Sequence, residues 1–280
     1  MKERRTCKQC VLSALKGLFL VYTTAICVGP FVWVILSSFK TNKEILDSAF
    51  SLPSSWAPDG YVRALEMSPI FRFFGNSVLI AVANTFISVL VVAMAAYVIA
   101  RYDFRGRRTF TLMLSSSLLV PISALLMPIY LLMARMGFLD TRAGLILVYA
   151  ALGLPTSLFI LRSSFLNIPR EIEEAAAIDG AGQIRTFFVI VLPMARSGLA
   201  TAATLHFLTS WNEFMFALVL TKSEAVRTLP LALNYFSSQF SFDYTAMFAA
   251  ITMSVLPSVL VYILLQEQVT SSLVAGSVKG

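Results

Sequence analysis

Of 280 residues, 58% are hydrophobic and only 13% charged, with a mean hydropathy of +0.78 and a net charge of +7. Soluble domains run about 45–50% apolar and about 25% charged, so this balance excludes a disordered chain, a nucleic-acid-binding tail and an ordinary cytosolic enzyme. It points to a chain solvated mostly by lipid, in which Lys and Arg mark the cytoplasmic side and a positive balance does not imply a nucleic-acid partner.

The chain opens with a basic arm, residues 1–10, holding Lys2, Arg4, Arg5 and Lys8 around a lone C-x-x-C pair, Cys7 and Cys10. A zinc site needs about four ligands, and the one histidine, His206, is far along the chain. Two unpaired thiols are the better reading, with no metal and no cofactor expected. The first apolar run, residues 11–36, exceeds the roughly 7–15 residues of a signal-peptide core and lacks a small-residue cleavage site, so it reads as a retained anchor. Residues 37–73 follow, a turn-rich loop with Pro53, Trp56, Pro58 and Pro69, long enough to form a small extracytoplasmic cap.

Five more apolar runs cover residues 74–100, 110–133, 144–161, 199–220 and 246–265. Each approaches the about 20 residues that a helix needs to cross a bilayer, so the expected fold is all-α with six transmembrane helices and a core over residues 74–266. Pro121 and Pro128, Gly153 and Pro155, and Pro257 fall inside the third, fourth and sixth runs. Such residues free backbone groups that neighbouring helices must satisfy; they also occur widely in spanning helices, so a cavity-lining role stays open. The loop at 135–142 is short. The loop at 221–245 is aromatic, with Tyr235, Phe236, Phe240, Phe242 and Tyr244; an interfacial belt and a contact surface for an extracytoplasmic partner both fit. The larger share of the 22 Lys and Arg falls on the arm, the second-to-third and fourth-to-fifth connections and a short tail, 267–280. The positive-inside rule then places those connections and both termini in the cytoplasm.

The fourth-to-fifth connection, about 163–196, carries the most local information. Asn167 suits a helix N-cap and Pro169 a first turn. Glu171, Glu173 and Glu174 crowd the end where the helix dipole favours negative charge. Ala175, Ala176 and Ala177 are strong helix formers, and Gly180 and Gly182 permit a sharp exit. A second helical stretch, 183–192, stops at Pro193. So short a helix is marginal alone in water, and its Ile172, Ala175, Ala176 and Ile178 are too small to form a core. It must dock on neighbouring helices of this chain or in a groove of another protein.

Glu174-Ala175-Ala176, three residues, Gly180, nine residues, Ile190, one residue, Leu192-Pro193 resembles the E-A-A-x3-G-x9-I-x-L-P motif of the membrane subunits of binding-protein-dependent ABC importers. Asn76-Ser77, Ala95-Ala96-Tyr97 with Ala100-Arg101, Phe104-Arg105-Gly106-Arg107, Leu139-Asp140-Thr141, Trp211-Asn212-Glu213-Phe214 and the ending Ala275 to Gly280 resemble the carbohydrate-uptake branch, and within it the second permease subunit of maltose-type systems. The family often has proline where this chain has Ser197. The resemblance implies a type-1 importer permease in a bacterial or archaeal cytoplasmic membrane, multi-pass in the lipid bilayer. Its implied partners are a second permease forming a heterodimer, a cytoplasmic ABC ATPase dimer, an extracytoplasmic solute-binding protein and a small-molecule solute of a sugar or sugar-like class. It further implies that Glu173, Glu174, Ala175, Ala176, Asp179, Gly180 and Pro193 belong to a loop, 167–193, that transmits ATPase movement.

No phosphate-binding G-x-x-x-x-G-K-[ST], H-E-x-x-H or G-x-S-x-G occurs, so ATP hydrolysis is expected in a separate subunit. An ion-coupled secondary carrier and an intramembrane enzyme are the competing classes; the first would want charged relay groups at mid-membrane, the second a nucleophile–base pair or metal ligands. Within the spans, His206 and Glu213 stand out. His206 suits a helix–helix hydrogen bond. Asn212 and Glu213 are candidates for the translocation path or gate, against a structural reading in which Glu213 holds neighbouring helix ends.

Overall fold

The computed structural model describes residues 7–236 and 242–277. Lys2, Arg4, Arg5, Phe240, Lys279 and Gly280 lie outside the described residues, as do the side chains of Cys7 and Cys10. Among the described residues every regular element is helical. The chain divides into two compact units, residues 1–68 with 233–253 and residues 69–232 with 254–280.

In the first unit, α1 (Cys7–Ser37) carries a span, Leu15–Ser37, none of whose most apolar window is buried within the chain. The loop beyond it folds into α2 (Asn42–Asp47) and α3 (Asp59–Met67). A capping box starts α2: Thr41 Oγ1 accepts from the Glu44 N–H, and Glu44 accepts from the Thr41 N–H at 2.7 Å. Glu44 also accepts from the Ser54 N–H. These donors, Ser54 foremost, hold its carboxyl at a pKa of about 2. Lys40, only 1% exposed, donates to the Ala49 carbonyl at 3.0 Å, to which the Trp33 indole also donates. The loop is thus tied down by its own polar groups. The same unit holds an ion pair, Arg63–Asp243, at 2.8 Å.

The second unit begins with α4 (Ile70–Arg101), followed by α5 (Arg107–Ser117), a 3-10 turn (Ile122–Leu125), α6 (Leu126–Met136) and α7 (Arg142–Leu166). Next come α8 (Glu171–Ile178), α9 (Gln183–Met194), α10 (Arg196–Trp211) and α11 (Met215–Leu220). The last helix, α12 (Tyr244–Ser277), belongs to the first unit up to Met253 and to the second from Ser254, and carries a span at Tyr244–Leu264. Four helices are long and apolar enough to cross a membrane, and six spans result if each bent pair counts as one.

Two expected spans are not continuous helices. The third, read as 110–133, is α5 and α6, bent by 100°. Pro121 starts the intervening turn with extended backbone (ψ 127), and its missing N–H and ring cannot continue α5. Pro128 instead sits in the first turn of α6, where a missing donor matters little. The fifth, read as 199–220, is α10 and α11, broken at Asn212–Phe214, and α9 meets α10 at 77°. The second helical stretch of the connection does not stop at Pro193: it continues to Met194, with a π turn at Thr186–Val191 just before the proline. That wider turn accommodates a ring that would otherwise crowd the carbonyl four residues back. Ser197 lies in the first turn of α10, a position that accepts proline and serine alike.

The packed centre lies where α4, α7, α9 and α10 meet. Ala93, Ala96 and Ala100 of α4 and Ala202 of α10 let these helices approach closely around Leu161, Phe165 and Phe187. A second cluster joins Ile80, Leu145, Tyr149, Met133, Phe216 and Leu220. Helix α7 runs unbroken through both Gly153 and Pro155.

Candidate functional site

The connection after α7 is built from the residues that flagged it, with changed roles. Asn167 is not a cap of the short helix: it closes α7, while α8 starts after Arg170 with no side-chain cap. Its first turn relies on the charges of Glu171, Glu173 and Glu174 at the positive end of the helix dipole. Its other end is a Schellman closure. The Ala181 N–H donates to Ala176 O at 2.9 Å and the Gly180 N–H to Ala177 O at 3.1 Å. Gly180 takes the left-handed conformation this needs, with φ 79. Gly182 does not: its φ of −70 is open to any residue.

The small apolar residues of α8 divide between two sides. Ala176 is buried and Ile172 packs on the central cluster. Glu174, Ala175, Asp179 and Gly180 are exposed, and Ile178 is 87% exposed. Beyond them Ile184 is 77% exposed, at the edge of a surface hollow of about 630 Å³ lined by Gly182, Gln183, Ile184, Arg185 and Phe188. A helix turned this way presents Ile178 and acidic side chains away from its own bundle. Pro193 is also exposed, at the far end of α9.

Glu173 stands apart from this face. Its Oε1 lies 2.6 Å from Nε of Arg101, the last residue of α4, and its Oε2 accepts from the Tyr97 hydroxyl at 2.8 Å. This carboxylate of the 167–193 loop therefore meets a basic residue of its own chain.

Polar locks gather around the other end of α4, about 37 Å away at 1.5 Å per residue. Asn76 donates to the carbonyls of Ala225 and Arg227 and accepts from Arg142 Nε at 3.0 Å. The Ser77 hydroxyl accepts from the Leu229 N–H. Asp140, itself at φ 54, accepts from the N–H groups of Lys222 and Ser223, which lower its pKa. Thr141 caps α7 through the Gly144 N–H. Asn76-Ser77 and Leu139-Asp140-Thr141 thus fasten the segment after α11 to α4 and to the turn before α7. Sequence reasoning singled out those stretches without their distant partners, which lie 66 to 152 positions away.

Glu213 sits at the break between α10 and α11. One oxygen accepts from the Phe216 N–H at 2.8 Å; the other accepts from the Ala217 N–H at 3.0 Å and the Tyr149 hydroxyl at 2.7 Å. It caps a short helix and ties it to α7. Asn212 has an exposed side chain whose amide donates to Leu208 O of its own helix. His206 is 4% exposed and pairs through Nε2 with Asn84 Oδ1 of α4 at 3.1 Å, as its helix–helix reading expected.

Long apolar helices locked by polar side chains, with a short helix displayed at one end, make up the second unit. The chain belongs to the family of binding-protein-dependent transport system inner membrane components, whose model matches residues 88–273; it is a transporter permease subunit, not an enzyme. It is 38% identical over 267 residues to the diacetylchitobiose uptake system permease protein NgcG of Streptomyces coelicolor, covering 95% of this chain and 88% of that one. It is 34% identical over 259 residues to the trehalose/maltose transport system permease protein MalG of Thermococcus litoralis, covering 91% and 92%. Its fold matches a chain of a bacterial ABC transporter that imports alginate, with a TM-score of 0.83 at 22% identity over 95% of this chain and 99% of that one.

Proposed function

We propose that this chain is one of two permeases in an ATP-driven, binding-protein-dependent sugar importer of a bacterial or archaeal cytoplasmic membrane. It forms the translocation path with a second, different permease, receives solute from an extracytoplasmic binding protein and is moved by a cytoplasmic ATPase dimer. The observation that carries the coupling role is the outward face of α8 and α9: Glu174, Ala175, Ile178, Asp179 and Gly180 with Ile184 beside them. The carbohydrate systems named for its relatives support a sugar as solute.

Both termini and the α8 connection then face the cytoplasm. In a variant lacking its native cysteines, a membrane-impermeant thiol label added to intact cells is expected to reach a cysteine at exposed Ser55 and not one at exposed Gly182. The opposite pattern would invert the topology.

The coupling role is tested at Gly180. Among the described residues, no atom beyond its own chain neighbours stands within 4 Å of where its Cβ would be, so a side chain meets no obstacle there. Left-handed backbone carrying a β-carbon costs about 1–2 kcal/mol, and a branched side chain there would stand off any closely fitted partner. Gly180→Val should weaken ATPase association or uncouple hydrolysis from uptake while the spans still insert. Purified complexes report bound ATPase and ATP turnover, and proteoliposomes report uptake of labelled diacetylchitobiose, maltose and trehalose. Normal association with normal coupled uptake would remove α8 as the transmission element. Uptake that persists without ATP and collapses with an ion gradient would favour a secondary carrier.

A further inference from the structure

We propose that Arg101, Glu173 and Tyr97 form a clamp that makes the displayed helix α8 one body with α4, so that force applied to α8 enters the bundle directly through α4. This rests on the reading of α8 as the ATPase contact and names the residues that pass the movement on.

Three observations carry it. The Arg101–Glu173 pair is nearly closed to solvent, its side chains 5% and 18% exposed, and joins the last residue of α4 to the first turn of α8. Both ends of the pair are held by further bonds. Tyr97, one turn earlier on α4, donates to the second oxygen of Glu173 at 2.8 Å, and Arg101 Nη2 donates to Ile168 O at 2.8 Å. Finally, α8 has little else to fix it: it is eight residues long, without a side-chain cap, and mostly exposed.

The physics follows from burial. A charge pair removed from water gains strength from the lower local dielectric, and removing one member leaves the other buried without compensation. Separating α8 from α4 would expose or strand both charges, so the pair resists relative motion alongside the apolar contacts of Ile172 and Ala176. The segment before α8 is held to the same end of α4, through Ile168 O and through Arg170 donating to Arg101 O at 3.4 Å, while α8 is followed by the turn at Gly180. Glu174, one residue on, is exposed and free for a partner. Neighbouring glutamates therefore divide the work: Glu173 faces inward to hold the helix, and Glu174 faces outward to be held.

The test uses the complete importer complex with spin labels on cysteines at Val98 of α4 and Glu171 of α8, both exposed, and double electron–electron resonance with and without Mg²⁺ and a non-hydrolysable ATP analogue. The clamp predicts one narrow distance that the nucleotide leaves unchanged. Glu173→Gln should lose that single distance, broadening it and making it nucleotide-dependent while the ATPase stays bound, and the exchange Arg101→Glu with Glu173→Arg should restore it. A Glu173→Gln complex with the unaltered narrow distance in both states would overturn the clamp. So would a wild-type distance that shifts with nucleotide, or loss of the ATPase from Glu173→Gln that the exchange fails to restore. The parent reading fails separately, by full ATPase retention and coupling in Gly180→Val, which leaves the distance measurement intact.

Discussion

Gly153→Ala is expected to be among the most damaging single-methyl additions to this chain, lowering the thermal stability of the purified subunit sharply. A Cβ at Gly153 would lie 1.8 Å from Cε1 and 1.9 Å from Nδ1 of His206. The imidazole cannot simply swing aside, because it is 4% exposed and its Nε2 is bonded to Asn84 Oδ1, itself in a residue fully buried on α4. Overpacking a tight core costs about 1–3 kcal/mol, and displacing the ring strands a buried polar group at about 1–3 kcal/mol more. Together these are a large part of the about 5–15 kcal/mol typical of a folded protein. Adding His206→Ala should recover much of the loss, since it empties the space that the new methyl needs. A Gly153→Ala protein that melts with the parent, or one that His206→Ala makes additively worse, would show that α7 and α10 are not packed through this contact.

Glu213 yields the second large effect. Glu213→Gln keeps the shape but replaces an acceptor with a donor, and both Glu213 oxygens are accepting bonds. In either orientation of the new amide a backbone N–H of α11 meets a donor, since the Phe216 and Ala217 N–H groups use different oxygens. Losing a side-chain cap costs about 0.5–2 kcal/mol, and a stranded buried donor about 1–3 kcal/mol. Assembly and melting temperature should fall together, with Tyr149→Phe giving a smaller fall of the same kind. A Glu213→Gln complex that assembles and melts normally yet transports slowly would instead place this carboxylate on the solute path or at its gate.

These residues show how far local sequence reaches. The four continuous spans were legible because each is a long apolar run, and hydropathy sums over about 20 residues regardless of what touches what. The closure of α8 was legible for the same local reason: a glycine after a short alanine-rich helix takes the left-handed turn that only it takes cheaply. The family motif around Glu174 and Gly180 marked the same stretch. The bends in the third and fifth spans were not legible, because a window average does not distinguish a straight apolar helix from a broken one. Pro121 stands in the break between two helices, at the start of a 3-10 turn, while Pro155 lies inside an unbroken helix, and the difference is their setting rather than their identity.

Partners decided the remaining roles. Glu173 and Glu174 are the same residue type side by side, and nothing local separates them; α4 brings Arg101 and Tyr97 to one and leaves the other in the open. Gly153 reads in sequence as a softening of its span, yet it serves as the seat of an imidazole from a helix more than fifty residues further along. By itself the sequence determined which runs are apolar enough to cross a membrane and that a short, glycine-ended helix lies in the fourth-to-fifth connection, since those depend on local composition and short-range backbone preference. Only the tertiary structure decided which polar groups hold helices together and which face outward. Inside a bundle a hydrogen bond or ion pair is set by what the neighbouring helix places within about 3 Å, and no residue carries that information alone.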